Sequence, residues 1–214
     1  MIYYWKHILQ KKEVKNNSFN VKCLKEEKGE KMNSHRKTAI IVGALILIAY
    51  GVLASSITES KITVMLLEVI SGASVILIAV LMFPLFKPYN EKSSFWYIVF
   101  RSIEGGLMII AGILFLSNNN LLLGIRDGIY VGHGYIFAIA ALFFYYLLYQ
   151  SKLIPRWLSL WGFIAAILLI LANVLELTGL IHEAMILYLP IILNEVVLAI
   201  WFIFKGFNLQ GEVK

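Results

Sequence analysis

The 214-residue sequence is 60% hydrophobic and 15% charged, with a mean hydropathy of +0.79. A soluble domain averages about 45–50% apolar and about 25% charged residues, so this composition excludes an ordinary water-soluble globule and describes a membrane chain. Cys23 is the single cysteine, which excludes an intramolecular disulfide, and the net charge of +6 is concentrated near the start of the chain.

Ten of the nineteen Lys and Arg residues lie before residue 38. Beside a first span such a segment marks the cytosolic side and needs no nucleic-acid partner. Residues 1–37 have no hydrophobic periodicity and read as a basic, disordered cytosolic tail. The opening MIYYW is too short for a signal-peptide core. Lys28-Gly29-Glu30 can be encoded by a purine-rich, ribosome-binding type of sequence just upstream of the Met32 codon, so translation is expected to begin at Met32.

Six apolar runs follow: Thr38 to Ile57, Ile62 to Phe86, Phe95 to Ser117, Gly128 to Gln150, Trp157 to Thr178 and Ala184 to Phe204. Each is the length of a membrane helix, about 20 residues, and far exceeds the 9–11 of a barrel strand. The expected fold is therefore an all-α integral membrane protein, a six-helix transmembrane bundle over residues 38–207 with a short cytosolic tail at 208–214. Short connections make successive helices antiparallel neighbours.

Loop charge sets the orientation. With the N-terminus cytosolic, the inner connections and the C-tail hold Lys87, Lys92, Lys152, Arg156, Lys205 and Lys214, against Lys61 and Arg126 outside. Both termini are thus expected in the cytosol. Tyr89, Trp96, Tyr97, Tyr149, Trp157, Trp161 and Trp201 fall near cytosolic helix ends, where amphipathic rings settle. Pro84, Pro88 and Pro155 lie at or beyond inner helix ends, whereas Pro190 lies inside the sixth span, removes the hydrogen bond to the Ile186 carbonyl and is expected to break that helix. Gly128-x-x-x-Gly132, Gly162-x-x-x-Ala166 and the Gly105-Gly106 pair offer close helix approach.

The third run carries Arg101 and Glu104. An arginine there costs roughly 2.5–3.5 kcal/mol on insertion scales, so it requires a partner. Counted from Phe95 and Phe204, Glu104 and Glu195 are equally deep, roughly 14 Å from the inner edge. Arg101 shares a helical face with Glu104. The expected buried polar centre is Arg101, Glu104, Asn194 and Glu195, with the guanidinium bridging carboxylates from two helices. Glu68, His133 and Asn173 lie at a common depth nearer the outer edge and are expected to line an outward-facing vestibule.

One guanidinium and two ionised carboxylates leave one negative charge near the membrane centre. Either one glutamate stays protonated, or a proton, metal cation or cationic solute completes the site. The plainer alternative is a structural cluster that fixes helix register. His133 fits a packing role better than a proton relay. His182-Glu183 lacks the second histidine of a zinc-protease string, and with Asp127 the sole aspartate, triads and aspartyl dyads are unsupported. The chain is therefore expected not to be an enzyme and to need no cofactor and no metal.

FRSIE at Phe100 to Glu104, YQSKLIPRWLSLWG at Tyr149 to Gly162, and LPIILNEVVLAIWFIFKGF at Leu189 to Phe207 together resemble the bacterial membrane family called domain of unknown function 4386. The likeness runs from about His35 to Phe207. It implies an integral protein of the bacterial plasma membrane, with Arg101, Glu104, Pro155, Arg156, Asn194 and Glu195 at the family's recurrent positions, and it implies no assigned activity. The leading functional expectation is transport or sensing of a proton or small solute through the buried cluster. The alternative is a membrane scaffold or partner subunit, embedded in the lipid bilayer, in which the cluster is structural.

Overall fold

The computed structural model describes residues 33–58, 60–180 and 185–208. The expectations for the tail before residue 33, the Met32 start, the His182-Glu183 string and residues 209–214 lie outside them. The chain divides after Thr38. Of the first unit, residues 33–38 are described; they are helical, and Thr38 Oγ1 donates to the Ser34 carbonyl at 3.1 Å. Helix is therefore already present at Asn33, five residues before the boundary expected at Thr38. All else belongs to the second unit, Ala39–Lys214.

The described residues form six helices long and apolar enough to cross a membrane, and no strand is present among them. They are α1 (Asn33–Leu53), α2 (Lys61–Phe86), α3 (Glu91–Phe115), α4 (Asn120–Ser151), α5 (Arg156–Leu177) and α6 (Met185–Phe204). This is the build of a multi-pass membrane protein. In lipid every backbone N–H and C=O must be satisfied within its own segment, which a helix does. From Tyr50 to Ile57 the end of α1 tightens to a 3-10 helix.

Polar side chains start the helices where the apolar runs begin. Ser60 accepts from the Thr63 amide, Asn90 from the Ser93 amide and Asn119 from the Leu121 amide, each satisfying a donor left orphaned by the first turn. Pro155 precedes α5, and left-handed Lys152, Gly179 and Gly206 follow α4, α5 and α6. The Asn119 cap starts α4 eight residues before the expected Gly128, so Arg126 belongs to a helix and not to a loop. Pro190 does not break α6, which runs continuously from Met185 to Phe204; the one hydrogen bond it takes from the Ile186 carbonyl does not end the helix.

Each helix from α2 to α5 packs on the next, and α2 also packs on the 3-10 end of α1. The circuit closes where Gly43 of α1 meets α6, so near that a Cβ there would lie 2.7 Å from the Ala199 carbonyl oxygen. Small residues set these separations, because lipid tails are as apolar as the helices and close van der Waals fit, not release from water, drives association. At the α2–α3 crossing, a Cβ on Gly72 or on Gly105 would come within 2.5 Å of the other's carbonyl oxygen. On α5, the Tyr145 ring fills the space that a side chain at Gly162 would occupy. Gly106, Gly128 and Gly132 meet nothing and are not packing sites in the described structure.

The two ends of the circuit differ. Toward the connections at 87–90 and 152–155, Met82, Phe86, Tyr97, Phe144, Leu147, Leu148, Leu158, Leu198 and Phe202 are fully buried. The Asn208 amide ties the chain after α6 to the Leu153 carbonyl at 2.8 Å. Toward the connection at 116–119 it is α4 that packs loosely: none of its residues before Ala138 is buried, whereas Val64 and Glu68 of α2, Ala111 of α3 and Ala172 of α5 are. Trp96, Tyr149 and Trp157 are exposed at the tight end as a lipid-interface belt requires, but Tyr97 is not part of it. Its ring turns inward and stacks on Phe144 at 5.4 Å.

Candidate functional site: a shared guanidinium

Arg101, Glu104 and Glu195 meet inside the circuit. Arg101 and Glu104 are separated by three residues of α3, so their side chains project from one face, and Arg101 Nη1 donates to Glu104 Oε1 at 3.0 Å and Oε2 at 3.1 Å. Arg101 Nη2 lies 3.8 Å from Glu195 Oε1 on α6. The helices α3 and α6 do not pack on each other among the described residues, so two long side chains span the gap that their backbones leave. All three residues are buried, Arg101 at 7%, Glu104 at 2% and Glu195 at 8% exposure.

The guanidinium is held on its other sides by aromatic faces, with Cζ 5.2 Å from the Phe137 ring centroid and 5.9 Å from that of Phe144. Such contacts replace part of the hydration that a buried cation loses. Glu195 Oε2 accepts a hydrogen bond from Tyr50 Oη at 2.9 Å. Tyr97 and Tyr145 bring two further hydroxyls within electrostatic reach of Arg101 and Glu195. Both hydroxyls are buried without a hydrogen bond of proper geometry, and so is Arg101 Nε.

Asn194 does not join this centre. A helix turns about 100° per residue, so the neighbour of Glu195 faces elsewhere. Asn194 is buried against α5, its Nδ2 donating to the Leu158 carbonyl at 3.1 Å.

The expected vestibule group also separates, because Glu68, His133 and Asn173 share a depth but not a direction. Glu68 on α2 is fully buried and accepts from Arg126 Nη2 at 2.6 Å. Arg126 is itself sandwiched between Phe115 and Tyr130, 4.4 Å and 4.7 Å from their centroids. His133 turns to the centre, with Nε2 4.0 Å from Glu104 Oε1. Asn173 joins a third set: its carbonyl accepts from Tyr135 Oη at 2.8 Å, its Oδ1 lies 3.1 Å from Tyr188 Oη, and Tyr188 also bonds Glu176.

The sequence reading missed Tyr50, Tyr97, Tyr145 and Arg126. Tyr97 recurs with Arg101 and Glu104 at helical spacing, and Arg126 recurs with Tyr130, His133 and Phe137. Those stripes were the available signal. A cleft of about 240 Å³ between α4 and α5 is lined by Tyr145, Tyr146, Tyr149, Ser159, Leu160 and Phe163. Tyr145 thus borders both the cleft and the centre.

The family described as Domain of unknown function (DUF4386) matches residues 40–206. The chain belongs to the DUF4386 family. That match takes in all of the residues of the shared-guanidinium site and most of each of the six helices. No curated protein matches this DUF4386 chain, and no solved structure does.

Proposed function

We propose that this DUF4386 protein transports or senses a proton or small solute through the Arg101–Glu104–Glu195 centre, with the two glutamates as exchanging groups and Arg101 as their counter-ion. The observation that carries the reading is one buried guanidinium shared by two carboxylates from different helices. With one guanidinium between two acids, the centre carries a surplus negative charge that a proton or cation balances.

The rival reading is a scaffold or partner subunit. The stacking of Arg101 on Phe137 and Phe144 favours it, since a guanidinium clamped between rings also fixes helix register. No nucleophile paired with a base is part of the site, so we propose a non-enzymatic role. The proposed setting is the bacterial plasma membrane, with the tightly packed end and both termini on the cytosolic side. Arg126 pairs with Glu68 inside the bundle, which leaves Lys61, at the start of α2, as the basic residue near the described connections of that end and supports this orientation.

The test is flux. The protein is sealed into vesicles with an entrapped pH-sensitive dye and given an inward proton gradient, with Glu104→Gln and Glu195→Gln compared at equal folded yield. Proton entry that both variants abolish supports transport. A centre that binds and releases protons without flux supports sensing. Vesicles indistinguishable from protein-free ones, around a centre that never titrates, leave the scaffold.

A further inference from the structure

His133 was expected to be a packing residue, yet its Nε2 is buried without a hydrogen-bond partner and faces Glu104 Oε1. A separation of 4.0 Å exceeds a hydrogen bond by about 1 Å, which a small ring movement or one water closes. Along the same face of α4, one and two turns toward the end where α4 packs loosely, stand Tyr130, its ring centroid 6.2 Å from that of His133, and Arg126, which is paired with buried Glu68. Tyr130 Oη and Glu68 Oε2 make no hydrogen bond of proper geometry, although the Tyr130 hydroxyl interacts with both Glu68 and Arg126. A file of polar side chains therefore runs from the Glu68–Arg126 pair through Tyr130 and His133 to Glu104. No residue of α4 beside it is fully buried until Ala138.

From this file we infer that His133 is the relay through which protons reach Glu104 from the end of the bundle where α4 packs loosely, with Glu68, Arg126 and Tyr130 lining the approach. The inference rests on the proposed exchange of protons at the centre and gives it a route. Imidazole suits the step because it accepts a proton on one nitrogen while releasing another from the opposite one. The ring gains a proton at Nδ1 and gives the Nε2 proton to Glu104 Oε1, becoming neutral as the carboxylate becomes a carboxylic acid. A tautomer exchange or ring turn resets it. The charged and titratable groups facing the ring are Glu104 and Arg101 from α3 and Tyr130 from its own helix, while α5 presents neutral Asn173 beside Gly134. Phe137 stacks on the ring's far side, centroids 6.5 Å apart, and limits its movement.

The experiment follows protonation of the central carboxylic acid by time-resolved infrared spectroscopy after a pH jump, using the full chain in lipid. His133→Gln keeps a polar side chain that cannot relay, and His133→Ala leaves room for added imidazole. The expected result is a carboxyl band of unchanged final size that appears slower by about a hundredfold in both variants, the low end of what a positioned proton-transfer group contributes. Imidazole is expected to restore speed to His133→Ala. Equal rates in the variants and the unaltered protein overturn the relay while leaving the titrating centre intact. A band absent from the unaltered protein overturns both.

Discussion

Tyr50 donates its hydroxyl to Glu195 Oε2 at 2.9 Å, while the other oxygen of the same carboxylate faces Arg101 at 3.8 Å. One acid thus joins α1, α3 and α6. The Arg101 contact is longer than a hydrogen bond, so Tyr50 supplies the direct hydrogen bond to Glu195 while Arg101 acts on it through charge.

Tyr50→Phe removes that donor without changing the ring. Hydrogen bonds to charged groups are worth about 1.5–3 kcal/mol, and a loss of that size in unfolding free energy is expected, read by denaturation in mixed micelles. A variant as stable as the parent means that another donor satisfies Glu195.

Arg101→Met leaves two acids facing each other around an apolar side chain. Stripping one partner from a buried ion pair costs about 3–5 kcal/mol, so folded yield is expected to collapse. The combination Arg101→Met with Glu104→Gln and Glu195→Gln removes every charge, and it is expected to recover much of the loss. Arg101→Lys keeps the charge but lacks the planar fork that serves two acids, and its stability is expected to fall between the two. Size-exclusion profiles of the purified variants check the order.

Gly105 and Gly106 are adjacent in sequence and opposite in consequence. A methyl at Gly105 meets the Gly72 carbonyl at 2.5 Å and forces α2 and α3 apart, whereas one at Gly106 meets nothing. Gly105→Ala is expected to destabilise by about 1–3 kcal/mol, as overpacking does. Gly106→Ala is expected to be neutral or to stabilise by up to about 1 kcal/mol through helix propensity. Paired thermal melts of the two variants separate these outcomes.

Topology is checked from the C-terminus. A reporter fused after Lys214 is expected to be active only when it is one that works in the cytosol. Activity solely from a reporter that needs export reverses the orientation.

The six helices were legible in the sequence because lipid demands about 20 apolar residues per crossing, and such a run is hard to hide. The Arg101–Glu104 contact was legible for a local reason, three residues of one helix. Depth along each helix correctly matched Glu104 with Glu195. Direction around the helix was not legible, since it is set by which neighbours pack where. Asn194 therefore went to the Leu158 carbonyl, and Glu68, His133 and Asn173 went to three different partners. Arg126 was hidden by a polar stretch that reads as a loop until the Asn119 cap turns it into the start of α4. Tyr97 and Tyr145 were hidden by their rings, which make a residue look like packing while its hydroxyl lies close to a polar site.

The central claim is that two acids share one guanidinium and leave a place for an exchangeable proton or cation. An infrared titration of the lipid-embedded protein beside Glu104→Gln and Glu195→Gln tests it most directly. The account predicts a protonated-carboxyl band in the unaltered protein that fades as pH rises and that disappears in one of the two variants. A spectrum with no such band at any pH, identical across the three proteins, contradicts it.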